Sequence, residues 1–247
     1  MNNRINILNS PIDKLTMEDT VLTIHKSIQK RLAIQHIVVN AAKMVHMQKD
    51  RKLCESVVNS DIINADGMAV VWAAKFLGQP LPEKVSGIDL MVKLVELAAK
   101  QKYKIFFFGA KEEVVSTVVA NYSKRYGKDL IAGYRNGYFS KEEEPLIAEQ
   151  IAESKADILF VAISSPTKEI FLNQYKEIMN VPFIMGVGGS FDVVSGKTKR
   201  APLWMQNYGL EWFYRFLQEP RRMWKRYLVT NTLFIYYVFR AKLQSFK

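Results

Sequence analysis

Along the chain, short apolar runs rich in β-branched and aromatic residues alternate with longer stretches in which apolar positions recur three and four residues apart. The runs His36–Asn40, Asp61–Asn64, Lys104–Phe108, Asp157–Ile163 and Pro182–Val187 have the length and composition of strands. The stretches Asp89–Lys102, Glu112–Tyr126, Lys141–Ser154 and Lys168–Met179 have helical spacing. This alternation predicts βαβ units, and so an α/β fold: a Rossmann-like, mostly parallel sheet with helices on both faces. In such a sheet ligands bind beyond the carboxyl ends of the strands, where the strand-to-helix loops meet. That rule selects Asn40, the Asn64–Gly67 turn, Gly109, the Ser164–Pro166 turn and Gly186–Ser190.

The pattern runs to about residue 195 with no repeat, low-complexity linker or compositional break, which predicts one compact core over residues 1–195. The polar, basic segment Gly196–Pro202 then introduces a tail, residues 196–247, of different character. Lys197–Lys247 holds eleven Lys or Arg against Glu211 and Glu219, so nine of the chain's eleven net positive charges lie there. Arg215, Arg221, Arg222, Lys225 and Arg226 are interleaved with Trp204, Trp212, Phe213, Tyr214, Phe216, Trp224 and Tyr227. Basic and aromatic residues in this mixture meet anionic lipid headgroups. They also bind phosphodiesters and bases, so nucleic acid is the competing partner. The uncharged run Tyr227–Phe239, directly after the basic cluster, favours the membrane. At thirteen residues, Thr230, Asn231 and Thr232 among them, it is short of the ~20 apolar residues that span a bilayer. The tail is therefore expected to be a helical appendage lying on a membrane.

Met1–Ile7 lacks the basic start and apolar run of a secretory signal, and the single cysteine, Cys54, has no internal partner. Both favour a cytoplasmic protein, peripheral on the inner face of the membrane. An apolar fraction of 49% over 247 residues is enough for a substantial core.

The chemistry is weighed motif by motif. Asp66 follows a strand and precedes the helical Met68–Leu77. It is either a helix cap, accepting backbone N–H bonds, or a general base for a substrate hydroxyl; the first role lowers a carboxyl pKa and competes with the second. Gly186–Ser190 either admits a diphosphate to the backbone or is a tight turn needing positive φ. It is no dinucleotide fingerprint, since the third glycine of that motif falls on Phe191, and the same residue displaces the leading glycine of a Walker loop at Gly196–Thr198. His25, His36 and His46 have no metal-ligand spacing and no Asp-x-Asp triplet exists, so neither a metal nor a cofactor is expected. No G-x-S-x-G elbow supplies a nucleophile, and Cys54 reads as structural.

Taken in order, Asn64–Gly67, Val85–Leu90, Ser165–Pro166 with Glu169, Gly186–Asp192, Gly196–Lys197, Lys199–Pro202, Gly209–Trp212 and Gln218–Arg222 resemble the WecG/TagA/CpsF glycosyltransferase family over nearly the whole chain. The resemblance implies an inverting, metal-independent transferase. It would move N-acetylmannosamine from its UDP donor to the 4-hydroxyl of N-acetylglucosamine on undecaprenyl diphosphate, as the branch that builds the teichoic-acid linkage unit does. Another UDP-sugar, such as the mannosaminuronic acid donor, is the alternative within the family. By position, the resemblance makes Asp66 the general base and Asn40 its neighbour orienting the sugar. Ser165, Lys168, Glu169, Gly186, Gly188, Gly189, Ser190, Asp192 and Lys84 then contact the donor, joined by Gly109 on the strand-end rule alone, and Arg215, Arg222 and Arg221 close over the diphosphate when the tail docks. The chain departs from the family at Val38, where Thr is frequent, at Lys168, where Gln is common, and at Lys84, where Arg is frequent. Apolar surface left bare when the tail swings away predicts a homo-oligomer in solution.

Overall fold

The computed structural model describes residues 4–244, apart from the side chains of Arg222, Lys225 and Arg226. A short antiparallel hairpin, β1 (Arg4–Ile7) and β2 (Ser10–Asp13), precedes helix α1 (Met17–Gln29). Strand β3 (Ile34–Val39), helices α2 (Ala41–Met47) and α3 (Arg51–Val58), and strand β4 (Ile62–Ala65) follow. Helices α4 (Met68–Phe76) and α5 (Gly87–Gln101) lead to β5 (Ile105–Gly109), α6 (Glu112–Tyr126), β6 (Ile131–Arg135) and α7 (Glu144–Glu153). Strand β7 (Ile158–Ala162), helix α8 (Thr167–Met179), β8 (Phe183–Gly186) and the short α9 (Ser190–Val194) complete the core. The tail forms α10 (Leu203–Asn207), α11 (Glu211–Gln218) and the long α12 (Pro220–Gln244).

Six strands make one parallel sheet in the order β4-β3-β8-β7-β5-β6. Successive side chains of a strand point to opposite faces, and β5 displays this: Ile105 and Phe107 pack beneath α5 and α6, whereas Phe106 and Phe108 pack against α7 and α8. At the β3–β4 end, Ile37, Val39, Ile63 and Ala65 join α2, α3 and α4 in a further cluster. Helix α12 reaches back to this end, runs along α2 and buries Phe234 and Val238 there.

The five expected strands are all present, and so are the helices expected between them. The hairpin and β6 are additions. Strand β6 sits at the sheet edge, where its residues are only partly buried and include Gly133; an edge strand lacks the continuous apolar run that marks a central one.

A buried polar pair crosses β3 and β4. The imidazole of His36, fully buried, donates through Nε2 to Oδ1 of Asn64 at 2.8 Å. Burial holds the ring's pKa down at about 4, against a partial opposing effect of Asn64. The folded protein therefore resists a proton that the unfolded chain accepts below 6.5. Stability falls as pH drops from 6.5 toward 4, by about 3 kcal/mol in full. Urea unfolding should show the protein losing about 2 kcal/mol more than His36→Gln between pH 7.5 and 5. Parallel pH dependence in the two proteins would remove His36 as the cause.

Candidate active site

Register sets the first pair of site residues. Val39 lies opposite Ala65 across β3 and β4, so Asn40 and Asp66 stand side by side, each one residue beyond its strand, and the Asp66 amide donates to Val39 O at 2.8 Å. Asn40 caps α2, its Oδ1 accepting from the Lys43 amide at 3.0 Å, which leaves the amide nitrogen of its side chain unused by the cap. Asp66 does not cap α4. Gly67 takes that position with φ +98°, no side chain caps the helix, and no group among the described residues donates a hydrogen bond to the Asp66 carboxylate. Of the two roles open to Asp66, capping is thus excluded by the backbone at Gly67. Burial, with Glu211 adding to it, pushes the Asp66 carboxyl up to about 6 against the pull of Lys43 and Lys84. A carboxyl titrating there is ionised at neutral pH yet basic enough to take a proton.

Across the sheet, Val161 pairs with Gly186 of β8, and the glycine loop begins at that point. Gly188 has φ +52°, so the turn does need a left-handed residue. Gly186 is needed for another reason: a Cβ there would lie 2.5 Å from Cε of Lys168. The lysine stem thus runs along the loop backbone, with its Nζ 3.8 Å from the Cβ position of Gly188. The Ser190 hydroxyl is spent locally, donating to Val187 O at 2.8 Å.

Beneath the loop lies a carboxylate between two lysines. Glu169 is fully buried; Lys43 Nζ donates to its Oε1 at 2.9 Å and to Val38 O at 2.8 Å, and Lys168 Nζ lies 3.4 Å from the same oxygen. Burial alone would raise the Glu169 carboxyl, but Lys43 and then Lys168 more than offset this and hold it at about 2. Burial draws Lys168 below the usual ammonium range, with Glu169 opposing. The buried carboxylate is shared by two buried lysines, and Asp66 acts electrostatically on both. Lys43 had no sequence signal: four residues past a strand, in Asn40–Met44, a lysine reads as a solvated helix charge.

The tail adds a third cation. The position a Cβ of Gly189 would take is 2.5 Å from a terminal guanidinium nitrogen of Arg215, on α11. No carboxylate pairs with Arg215 among the described residues. A separate set of contacts fastens the tail to the core. Lys84 Nζ donates to Gln206 O at 2.9 Å and to Glu211 at 3.1 Å, and Arg200 grips Asp89 with two bonds of 2.7 Å. Lys84 therefore spends its charge on the tail, a contact in which Glu211, Arg200 and Asp89 belong to motifs that the sequence marks without giving these residues a role.

The remaining candidates are more dispersed. Asp192 pairs with Lys197 at 3.0 Å on the far side of the glycine loop. Ser165 is exposed in the turn after β7. Gly109, φ +126°, answers to packing, since a Cβ would lie 2.5 Å from the backbone of Ala162. Beside it a cleft of about 550 Å³ opens at the ends of β5 and β7, lined by Ala110, Tyr138, Ile163, Ser164 and Thr167 among others. Arg221 is exposed at the start of α12, and the side chain of Arg222 lies outside the described residues.

A sequence model of the "Glycosyl transferase WecG/TagA/CpsF family" matches residues 5–247. The chain is 40% identical over 180 residues to the "N-acetylglucosaminyldiphosphoundecaprenol N-acetyl-beta-D-mannosaminyltransferase" of Bacillus subtilis (strain 168), covering 73% of this chain and 69% of that protein. A protein of the same description from Bacillus spizizenii (strain ATCC 23059 / NRRL B-14472 / W23) is 38% identical over 175 residues, covering 70% of this chain and 67% of the relative.

Proposed function

Because the chain belongs to the WecG/TagA/CpsF glycosyltransferase family, we propose that it transfers N-acetylmannosamine from UDP-N-acetylmannosamine to the 4-hydroxyl of N-acetylglucosamine on undecaprenyl diphosphate. The observation that carries the reading is Asp66: a carboxylate at a strand end, with no hydrogen-bond donor on it among the described residues and a pKa raised to about 6, at the same end of the sheet as a glycine loop overhung by an arginine. A base and positive charge for the departing diphosphate are what such a sugar transfer requires.

The Asp66 carboxylate takes the proton of the acceptor hydroxyl as that oxygen attacks the anomeric carbon. The bond from the anomeric carbon to the β-phosphate oxygen breaks, and UDP leaves with the electron pair. Attack and departure on opposite faces invert the anomeric centre in one displacement, with no covalent intermediate. Arg215 and Lys168 offset the charge that accumulates on the diphosphate, the first as a planar fork, the second as a point charge. Asn40 orients the sugar through its side-chain amide. Chemistry of this kind runs on protein cations alone, so the activity is expected in EDTA.

The acceptor is a lipid, which places the work at a membrane surface. In support, Trp212, Phe213 and Leu217 of α11 are exposed among basic residues. Among the described residues no helix is long and apolar enough to cross a membrane. The tail lies on the inner face, where donor nucleotide is made.

The test is UDP release from UDP-N-acetylmannosamine with a lipid-diphosphate N-acetylglucosamine acceptor in EDTA, comparing the intact chain with Arg215→Ala. Release by the intact chain and a loss of about 10²-fold or more in the variant are expected. Release from the mannosaminuronic acid donor instead would replace the donor, and no release from any UDP-sugar would end the reading.

A further inference from the structure

Helix α4 begins two residues after Asp66 and is apolar on more than its core face. It buries Val70, Ala73 and Ala74, yet also turns Trp72 and Phe76 outward, 57% and 44% exposed. Helix α12 behaves likewise. Phe234 and Val238 lie on the core, while Leu228, Ile235, Phe239 and Leu243, separated by seven, four and four residues, form an exposed stripe on the adjoining flank of the helix.

The two stripes meet. Phe76 and Phe239 pack edge to face with centroids 5.3 Å apart, and Lys242 Nζ lies 5.7 Å above the Phe76 ring. At the other end of α4 the tail closes in again, with the Cβ position of Gly209 only 2.7 Å from Met68 Cβ. Core and tail therefore share one continuous apolar face, and a contiguous exposed patch of this kind marks an interaction surface.

We infer that α4, through Trp72 and Phe76, enters the surface of an anionic bilayer together with α12, so that the core itself docks on the membrane alongside the tail. The inference rests on the membrane-surface reading above and adds a second element to it. Charge identifies the occupant: nine of the eleven net positive charges lie in the tail that borders this face, and anionic headgroups are the complementary surface. Composition agrees, since Trp and Tyr place an apolar body below the headgroups and a polar edge among them, and Lys242 snorkels past the rings. The orientation has a use. With a rise of about 1.5 Å per residue, Trp72 and Phe76 lie roughly 6 and 12 Å along α4 from its start beside Asp66. A bilayer meeting those rings leaves the base within reach of a sugar held on a diphosphate at headgroup level.

The experiment is sedimentation of the full chain with vesicles of phosphatidylglycerol and phosphatidylcholine, for the intact protein, Trp72→Glu, Phe76→Glu and Leu146→Glu. Leu146 is exposed on α7, away from this face, and serves as the control. Each α4 variant should bind vesicles at least tenfold more weakly, with Leu146→Glu unchanged, and all four should release UDP equally with a short-chain, water-soluble acceptor. Vesicle binding by both α4 variants equal to that of the intact chain overturns the inference. So does an intact-chain dimer in sedimentation velocity that Trp72→Glu dissociates while vesicle binding persists, because the face then joins two copies. Weakened vesicle binding with no turnover in any protein would uphold the docking and count against the reaction alone.

Discussion

Asp66→Asn should fold normally and lose transfer by about 10²- to 10⁴-fold, the range supplied by a positioned general base. The substitution keeps the shape and removes only the basic oxygen. No hydrogen bond among the described residues depends on that carboxylate, and burial disfavours its ionised form, so at neutral pH the variant should be at least as stable as the intact chain. The pH profile gives a sharper check. Asp66 must be ionised to accept a proton, and its pKa stands near 6. The acid limb of kcat/KM should therefore bend near pH 6, with activity falling below it. Lys43 pulls this pKa down, so Lys43→Met should move the bend to higher pH. An Asp66→Asn enzyme with more than a tenth of normal turnover would remove Asp66 from the role.

The second large effect falls on stability. Glu169→Leu should destabilise the protein by about 3–5 kcal/mol, because it leaves Lys43 and Lys168 buried without their shared counter-ion. In a chain of this size that corresponds to a fall of roughly 10 °C in melting temperature. The double variant Lys43→Met with Glu169→Leu should recover part of the loss, since an apolar pair of similar volume replaces a buried ion pair at small net cost. The same carboxylate links stability to acid: its pKa falls from 4.5 unfolded to about 2 folded, so its contribution is present above 4.5 and is lost as pH falls toward 2. Calorimetry of the two variants beside the intact chain at neutral pH decides it, and a Glu169→Leu protein within 1 kcal/mol of normal would mean that the lysines find solvent.

What the sequence reveals here follows from what period and composition can carry. Central strands such as Ile158–Ala162 are buried on both faces and announce themselves as apolar runs. Strand Ile131–Arg135 escapes because an edge is half solvated. The position of Asp66 is legible because the strand before it is, and strand ends are where local rules place candidates. The freedom of Asp66 from capping is not legible, since that depends on the φ of Gly67. Lys43 and Glu169 are 126 residues apart and meet only through the order of the sheet, so no local pattern signals the pair. Gly109 shows the converse: a glycine at a strand end invites a ligand, yet its own requirement comes from the Ala162 backbone.

Gly189 extends that lesson across the chain. Its φ of −74° is open to any amino acid, so nothing in its own backbone calls for glycine. The space a methyl group would need is held by the guanidinium of Arg215, the mobile end of a side chain in a different segment. An alanine at 189 would thus displace the arginine rather than unfold the loop. The two positions form an epistatic pair: once Arg215 is gone the constraint on 189 lapses, and homologues lacking that arginine have no reason of this kind to keep the glycine.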